Sequence, residues 1–194
     1  MLLVCGLVAV AVRAETPTTK PAAKPSAAAV VVDNPTYHYR ISLPKTWTAK
    51  QKSPKTSVYE LPGVPGASSG GVFIMLAGKP NKDTAKLEDI VNGKKEVLTQ
   101  RNAKTKFVTD EATTLGGEPA WRLVYDVPTT AKETQTINGK PAEVKDVQMA
   151  QHSVEIMCVK EGTVVDLMYV GVAENAAKFQ PAVDAAFASF EWAK

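Results

Sequence analysis

An alternating stretch near the middle of the chain places the strongest constraint on its fold. In residues 121–127 a large apolar residue occupies every second position, and Arg122 and Asp126 fill two of the positions between. This period of two is typical of a half-buried antiparallel strand. The pair Gly116-Gly117 just before it permits a tight turn. We therefore expect the other elements to pair with this strand or to cover it.

Several further stretches have strand-like patterns and predict an antiparallel sheet around this strand. Residues 72–77 and 163–172 are apolar on both faces, which indicates central strands covered on both sides. Turn signals between neighbouring stretches of the second half predict hairpin connections. The predicted strands are residues 37–43, 57–61, 72–77, 106–113, 121–127, 144–160 and 163–172.

One polar segment interrupts this series of strands. Residues 129–141 have no apolar period, so the pattern predicts neither a strand nor a helix there. Asn138-Gly139 within the segment is a strong signal for a tight turn. We expect an exposed hairpin tip or a mobile loop.

A first amphipathic helix is predicted between the early and the later strands. Residues 86–100 carry an apolar stripe at helical spacing. Asp83 or Thr84 can cap its N-terminus. Asn92-Gly93 lies in its middle and costs about 1 kcal/mol relative to alanine, so the helix can break or kink there.

A second helix closes the chain and completes the fold class. An apolar stripe within residues 179–190 predicts this helix, with Pro181 in its first turn, where a missing N–H is harmless. The expected class is α+β, with an antiparallel sheet of about six to seven strands flanked by helices. The two doubly apolar strands indicate that both faces of the sheet are covered.

The N-terminal region has the pattern of a processed segment followed by a linker. Residues 2–12 are almost purely apolar but too few to span a bilayer, which requires about 20. They fit a secretory signal peptide, residues 1–14, cleaved after Ala14, although no basic residue precedes them; a buried strand or helix is the alternative. Residues 15–32 are rich in proline and alanine and predict a linker, and residues 33–194 a single domain. The mature chain is then expected to be periplasmic or secreted, without a transmembrane segment.

The sequence contains one match to a catalytic motif, and its context argues against it. Ser68 is the centre of a G-x-S-x-G match, and Asp126 and His152 follow in the chain order of a serine hydrolase. That motif lies between a strand and a helix, whereas here a Pro/Gly loop leads into a strand. His38 and His152 have no cysteine or carboxylate at metal-ligand spacing. We therefore expect no enzymatic activity, no metal and no cofactor.

The cysteines predict neither a disulfide nor a reactive thiol. Cys5 falls within the predicted signal peptide, so Cys158 is the single cysteine of the mature chain. Cys158 shares one face of a predicted strand with Val154 and Ile156, and no cationic neighbour is evident. We expect it to be a small buried hydrophobic residue.

The charges are distributed unevenly along the chain. Residues 79–106 carry eight Lys/Arg against four Asp/Glu, and residues 107–194 carry seven against thirteen. Ordinary solvated faces explain this pattern most simply, and a dipolar surface that steers a charged partner is the alternative. On that alternative, Lys94 and Lys95 are the candidate partner-binding residues. The basic face lacks interleaved exposed aromatic residues, so we expect no nucleic-acid partner.

Four short stretches occur in the order in which one known family has them. They are residues 39–47 (YRISLPKTW), 115–121 (LGGEPAW), 162–169 (GTVVDLMY) and 187–192 (FASFEW). Over about residues 35–192 the domain resembles the PsbP-like family, which includes a lumenal extrinsic protein of photosystem II, a Ran-binding nuclear-import factor and secreted bacterial proteins. The resemblance implies an antiparallel sheet between helices, an α/β/α sandwich, and it supplies no shared catalytic residues.

Two functions remain in view. The leading hypothesis is a secreted or periplasmic, non-enzymatic module that binds another protein or assists an envelope complex. The alternative is a carrier of a small ligand or lipid, with a pocket between the sheet and a helix. The sequence leaves the partner and the oligomeric state open.

Overall fold

The computed structural model describes residues 29–61, 73–82, 84–137 and 140–193. Within these residues the chain forms ten strands and two α-helices, and a short 3-10 helix leads into the second α-helix. The elements are β1 (Ala29–Asn34), β2 (Tyr39–Pro44), β3 (Thr48–Lys52), β4 (Thr56–Glu60), β5 (Phe73–Pro80), α1 (Leu87–Arg101), β6 (Lys106–Leu115), β7 (Glu118–Ile137), β8 (Lys140–Lys160), β9 (Thr163–Val172), α2 (Ala176–Ala188) and β10 (Glu191–Trp192).

The strands form two antiparallel sheets. The larger sheet has seven strands in the order β3-β4-β5-β9-β8-β7-β6, and the smaller has three in the order β1-β2-β10. The two runs that are apolar on both faces, β5 and β9, are neighbours in the middle of the larger sheet. The α+β class and the antiparallel sheet flanked by helices are therefore confirmed.

The main core lies between one face of the larger sheet and a layer made of α2 and the smaller sheet. Ile41 of β2, Leu167 of β9 and Val183 of α2 are all fully buried in it. The alternation within each strand produces this layer, because every second side chain of β2 and β9 faces the same interior. Each fully buried Leu, Ile or Val stabilises the fold by about 1.5–3 kcal/mol relative to an exposed one.

A second and smaller core lies on the opposite face of the larger sheet, beneath α1. Its fully enclosed members are Val91, Leu123, Tyr125 and Met157, and partly buried residues of α1 and β7 surround them. Both faces of the sheet are thus covered, as the doubly apolar strands indicated. Among the residues that the structure describes, the two cores have no member in common.

Helix α1 departs from the sequence expectation at its start and in its middle. It begins at Leu87 after Lys86, and among the described residues no side chain, including that of Thr84, caps it. Asp83, the other predicted cap, lies outside the described residues. Asn81 instead fixes the preceding turn, because its side-chain oxygen accepts a hydrogen bond from the Ala85 N–H at 3.1 Å. The helix continues without a break through Gly93, so packing of its apolar face outweighs the local weakness.

The expectation for residues 129–141 was wrong where it allowed a mobile loop. β7 and β8 pair continuously from Ala120 opposite Cys158 to Ile137 opposite Lys140, apart from one register shift. Asn138 and Gly139, for which the sequence predicts a tight turn, lie outside the described residues.

The paired segments 127–137 and 140–150 form a two-stranded extension, which we call the ribbon. β6 pairs with β7 only as far as Asp126, and β9 pairs with β8 only as far as Gln151. In the described part of the chain the ribbon therefore extends beyond the ends of β6 and β9, without a third strand beside it.

Two boundaries and one strand also differ from expectation. Residues 29–32, which the sequence expectation assigned to the linker, are part of β1 and pair with β2. Strand β3 was missed, since all five of its residues are exposed and it has no apolar alternation. Pro181 lies inside α2 rather than in its first turn, because the helix begins earlier, at Ala176. The predicted signal peptide and the first part of the linker lie outside the described residues.

Candidate functional site

A cleft of about 1150 Å³ lies where several turns meet at one end of the two sheets. The β6–β7 turn, the β8–β9 turn and the turn before β2 form its sides, and the last turn of α2 and β10 complete it. The residues that line it are Tyr37, His38, Thr114, Gly116, Gly117, Lys160, Glu161, Thr163, Phe187, Ala188, Phe190, Glu191, Trp192 and Ala193.

Aromatic side chains form the floor of the cleft. Phe190 stacks on Tyr39 with ring centroids 5.5 Å apart and meets Trp192 edge-on at 5.1 Å. Phe190 is buried, whereas Trp192 is only half-buried, so the indole is the accessible part of the floor. The indole N–H donates a hydrogen bond to the Leu115 carbonyl at 3.2 Å, which fixes the ring in place.

Charged side chains surround the indole at the rim. The Lys160 ammonium lies 5.2 Å from the centroid of the Trp192 ring and 3.0 Å from the Glu118 carboxylate. Glu161 and Glu191 are exposed. The cleft thus offers an aromatic surface, a cation and carboxylates within one concavity, a combination suited to an amphipathic peptide segment.

The backbone at the rim is held in conformations that non-glycine residues seldom adopt. His38 and Glu161 have φ values of 51° and 47°, in the left-handed region. Each of these two backbone conformations costs of order 1 kcal/mol and persists because the surrounding structure holds it in place. Residues with such strained backbones are concentrated at functional sites. Gly116 has a φ of 58°, and a Cβ there would lie 2.8 Å from Trp192 Cδ1. The shape of the cleft therefore depends on these turns.

A second polar group of residues lies beneath α1 and is called the α1 polar cluster: Lys94, Tyr125, Glu155 and Asp166. Glu155 is fully buried on β8, and its carboxylate accepts hydrogen bonds from Lys94 Nζ at 2.6 Å and from the Tyr125 hydroxyl at 3.0 Å. Asp166 lies on the adjacent strand, and its Oδ1 is shielded from solvent without a hydrogen-bond partner. Burial and the Glu155 charge raise the pKa of Asp166 well above its usual value, with Lys94 opposing them.

Both predicted partner-binding residues pair with carboxylates of the same chain. Lys94 pairs with the buried Glu155, and Lys95 pairs with Asp110 of β6. The hydrogen bond from Lys95 and, to a smaller extent, the hydrogen bond from the Trp121 indole lower the pKa of Asp110. A role of Lys94 and Lys95 in partner binding stays a prediction.

The structure brings two of the three residues of the rejected hydrolase motif together. His152 Nδ1 lies 2.7 Å from Asp126 Oδ1, because the two residues face each other across the β7–β8 pair. His152 is therefore not isolated, and spacing along the sequence could not show a partner on another strand. Its ring also meets Tyr169 edge-on at 6.4 Å. Ser68 lies outside the described residues.

The described residues contain no group of three or more His, Cys, Asp or Glu side chains that could bind a metal ion. Over the same part of the chain, every helix is too short or too polar to cross a membrane.

Cys158 is fully buried in the main core, which confirms the sequence expectation. Burial, with a smaller contribution from the charge of Glu118, raises the pKa of its thiol to about 11. We expect the native protein at about pH 8 to react with iodoacetamide at least a hundredfold more slowly than the unfolded chain, since the thiolate is the nucleophile. Mass spectrometry of timed samples with and without urea measures both rates, and equal rates would contradict the burial.

Comparisons with known proteins show the fold. No family model and no curated protein matches the sequence. Cyanobacterial PsbP (CyanoP) from Synechocystis is 13% identical with a TM-score of 0.54 over 91% of this chain and 99% of that one. A Pseudomonas aeruginosa protein, PA94, is 12% identical with a TM-score of 0.52 over 83% and 94%. The Saccharomyces cerevisiae Ran-binding protein Mog1p is 12% identical with a TM-score of 0.50 over 84% and 95%. The chain therefore has the PsbP-like fold that its sequence resemblance implied.

Proposed function

We propose that this chain is a non-enzymatic binding module that acts outside the cytoplasm, in the periplasm or after secretion, and captures a segment of another protein in the cleft. The cleft carries this proposal, because it combines the half-buried Trp192 with charged groups at the rim. The signal-peptide pattern of residues 1–14 supports the location. Among proteins with this fold, Mog1p is described as Ran-binding, which supports a protein partner for the fold.

The chemistry of the cleft favours a peptide segment over a lipid. A lipid carrier needs a deep apolar cavity that encloses most of its ligand. Here Phe187 and Phe190 are already buried by neighbouring side chains, and the accessible lining includes Lys160, Glu161 and Glu191. An extended peptide can place an apolar side chain on the Trp192 indole and pair its own charges with the rim.

The alternative, a carrier with a pocket between the sheet and a helix, has less support. Where α2 covers the larger sheet, Leu167 and Val183 are fully buried and Phe179 is nearly so. The side chains of the two layers fill this region at the described residues, and the cleft opens at the end of the sheets instead. A carrier function would require α2 to move away from the sheet.

Two alanines of α2 provide a matched test of the cleft. Ala188 lines the cleft, whereas Ala185, also exposed and on the same helix, does not. We expect Ala188→Arg to fill part of the cleft and to weaken partner capture at least tenfold, about 1.4 kcal/mol, while Ala185→Arg leaves capture unchanged.

The measurement is photo-crosslinking in the cells that make the protein, with a photoreactive residue in place of Thr114, which is exposed and lines the cleft. The adduct is compared between the two arginine variants, with circular dichroism as the check of folding. A protein adduct that Ala188→Arg removes supports the proposal. Equal adducts in both variants would place the binding surface elsewhere, and an adduct of only a few hundred daltons would favour the carrier.

A further inference from the structure

Helix α1 is attached to the sheet separately from the rest of the fold. Val91 is its one fully buried residue, and the small core beneath it shares no residue with the main core. Elements with few buried apolar contacts open locally at a lower free energy than the core they cover. Opening of α1 would therefore leave β1, β2, α2 and the main core in place.

The strongest polar link between α1 and the sheet is the ion pair of Lys94 with Glu155. Lys94 Nζ lies 2.6 Å from Glu155 Oε1, and Glu155 is fully buried whereas Lys94 is 28% exposed. The second carboxylate oxygen of Glu155 accepts the hydrogen bond of Tyr125. Glu155 thus has defined partners for both of its oxygens, and one of these partners belongs to the helix.

Asp166 adds a second carboxyl group beside this link, because it lies on β9 opposite Met157, two residue pairs along from Glu155, which lies opposite Met168. The charged and titratable groups that face it are Glu155 on β8, Lys94 on α1 and Lys79 on β5, and Tyr125 on β7 also senses its charge. A buried ion needs a partner and hydrogen bonds to offset its desolvation, and Asp166 Oδ1 has none. One proton on Asp166 would leave one negative charge on Glu155 opposite the positive charge of Lys94.

We propose that Asp166, Glu155 and Lys94 form a proton-dependent latch that fastens α1 to the sheet when Asp166 is protonated and loosens it when Asp166 ionises. Ionisation places a second carboxylate next to Glu155, and the single ammonium of Lys94 is then shared between the two. Opening of α1 exposes both carboxylates to water and relieves this repulsion. It also exposes Leu123 and Met157 on the sheet, so ionisation of Asp166 would change the apolar surface that the protein presents.

The direction of the pH dependence follows from proton linkage. Because the pKa of Asp166 is raised in the closed state, the closed state binds more protons than the open state. The attachment is fully present below the pKa of the open state and is lost as the pH rises through the pKa of the closed state. Between these two values, the equilibrium constant for opening should rise up to tenfold per pH unit.

Hydrogen exchange of the full chain tests the latch between about pH 6 and about pH 9, after correction for the intrinsic rate of exchange. We expect amides of α1 to exchange through a smaller opening than those of α2, and this opening to become more frequent as the pH rises. Asp166→Asn should remove most of that pH dependence, because an amide can donate to Glu155 without ionising. Asp110→Asn, which alters an exposed carboxylate paired with the neighbouring Lys95, should retain it.

Two results would overturn the latch. Equal protection of α1 and α2 at every pH would show that α1 does not open by itself. The same pH dependence in the native protein and in Asp166→Asn would show that the proton lies elsewhere. If Asp166→Asn does not fold, Glu155→Gln serves instead: it removes the charge that repels ionised Asp166, so the rise of opening with pH should shrink.

Discussion

Replacing Lys94 with methionine should lower the free energy of unfolding by about 3 kcal/mol, whereas the same change at Lys95 should lower it by less than about 1 kcal/mol. The two lysines are adjacent on α1, and each pairs with one carboxylate. The two substitutions differ in the environment of the carboxylate that loses its partner. Loss of Lys94 strands the fully buried Glu155 beside Asp166, while loss of Lys95 leaves Asp110, which is 31% exposed and can be hydrated.

The magnitude for Lys94 follows from the general cost of breaking a buried ion pair. Removing one partner of such a pair costs about 3–5 kcal/mol because an uncompensated charge remains buried. We place Lys94→Met at the lower end, since the raised pKa of Asp166, no longer opposed by Lys94, favours a proton on Asp166 and so removes one of the two negative charges. For the same reason the loss should be smaller at about pH 5 than at about pH 8.

Urea denaturation of the native protein and both variants measures the difference, at two pH values and with equal slopes as a check on two-state behaviour. Equal losses for Lys94→Met and Lys95→Met would contradict the structural role of Lys94. The comparison also separates stability from recognition. If charge reversal at Lys95 weakens partner capture while stability is retained, the predicted role of this helix face in steering is supported.

Replacing Gly78 with alanine should lower the free energy of unfolding by about 3 kcal/mol, while Gly93→Ala should raise it by about 0.5–1 kcal/mol. The substitution adds one methyl group in both cases. At Gly78 the new Cβ would lie 2.4 Å from Cδ2 of Tyr37, whose ring covers the strand. At Gly93 the new Cβ would meet nothing within 4 Å beyond its chain neighbours and the backbone of its own helix. The steric clash therefore makes Gly78→Ala destabilising, and the reduced backbone entropy of the unfolded chain makes Gly93→Ala stabilising.

The loss at Gly78 is large because Tyr37 cannot move without cost. The ring is buried and lines the cleft, so it would shift toward solvent or into the cleft. Thermal and urea unfolding of the two variants give the stabilities. A neutral Gly78→Ala would mean that Tyr37 has a second well-packed position, and a destabilising Gly93→Ala would mean that α1 is strained at that point.

The sequence predicted the parts of the fold that follow from local alternation. The alternating residues 121–127 are part of β7, and the doubly apolar residues 163–172 are β9 in the middle of the sheet. Strand β3 could not be predicted in this way, because its pairing with β4 leaves no buried face. The ribbon was missed because residues 129–141 have no apolar period, and the pairing of β7 with β8 leaves no local pattern in the sequence.

The candidate sites were harder to predict than the fold, because each is made by residues that are far apart in the sequence. Glu155 has the position of an ordinary residue in an alternating strand, and only α1, which crosses above it, makes it a buried ion-pair partner. The sequence did contain one indication. Glu155 and Met157 are two positions apart on β8, so their side chains share one face, and that face had to be covered. The cleft gave no signal, as its sides are turns from three hairpins that only the folded sheets bring together.

The ribbon described above bears on how proteins with this fold can change in length. Successive residues of a strand point to opposite faces, so a paired extension of this kind repeats every two residues. Removing two residues from each strand would shorten it by about 7 Å and leave every remaining residue on its original face. The register of β6, β8 and β9 below Asp126 and Gln151 would not be affected, because those pairs do not involve the ribbon. The length of the ribbon can therefore change by insertion or deletion of residue pairs without altering those strand pairs. The cleft would also be unaffected, because it lies at the opposite end of β7 and β8.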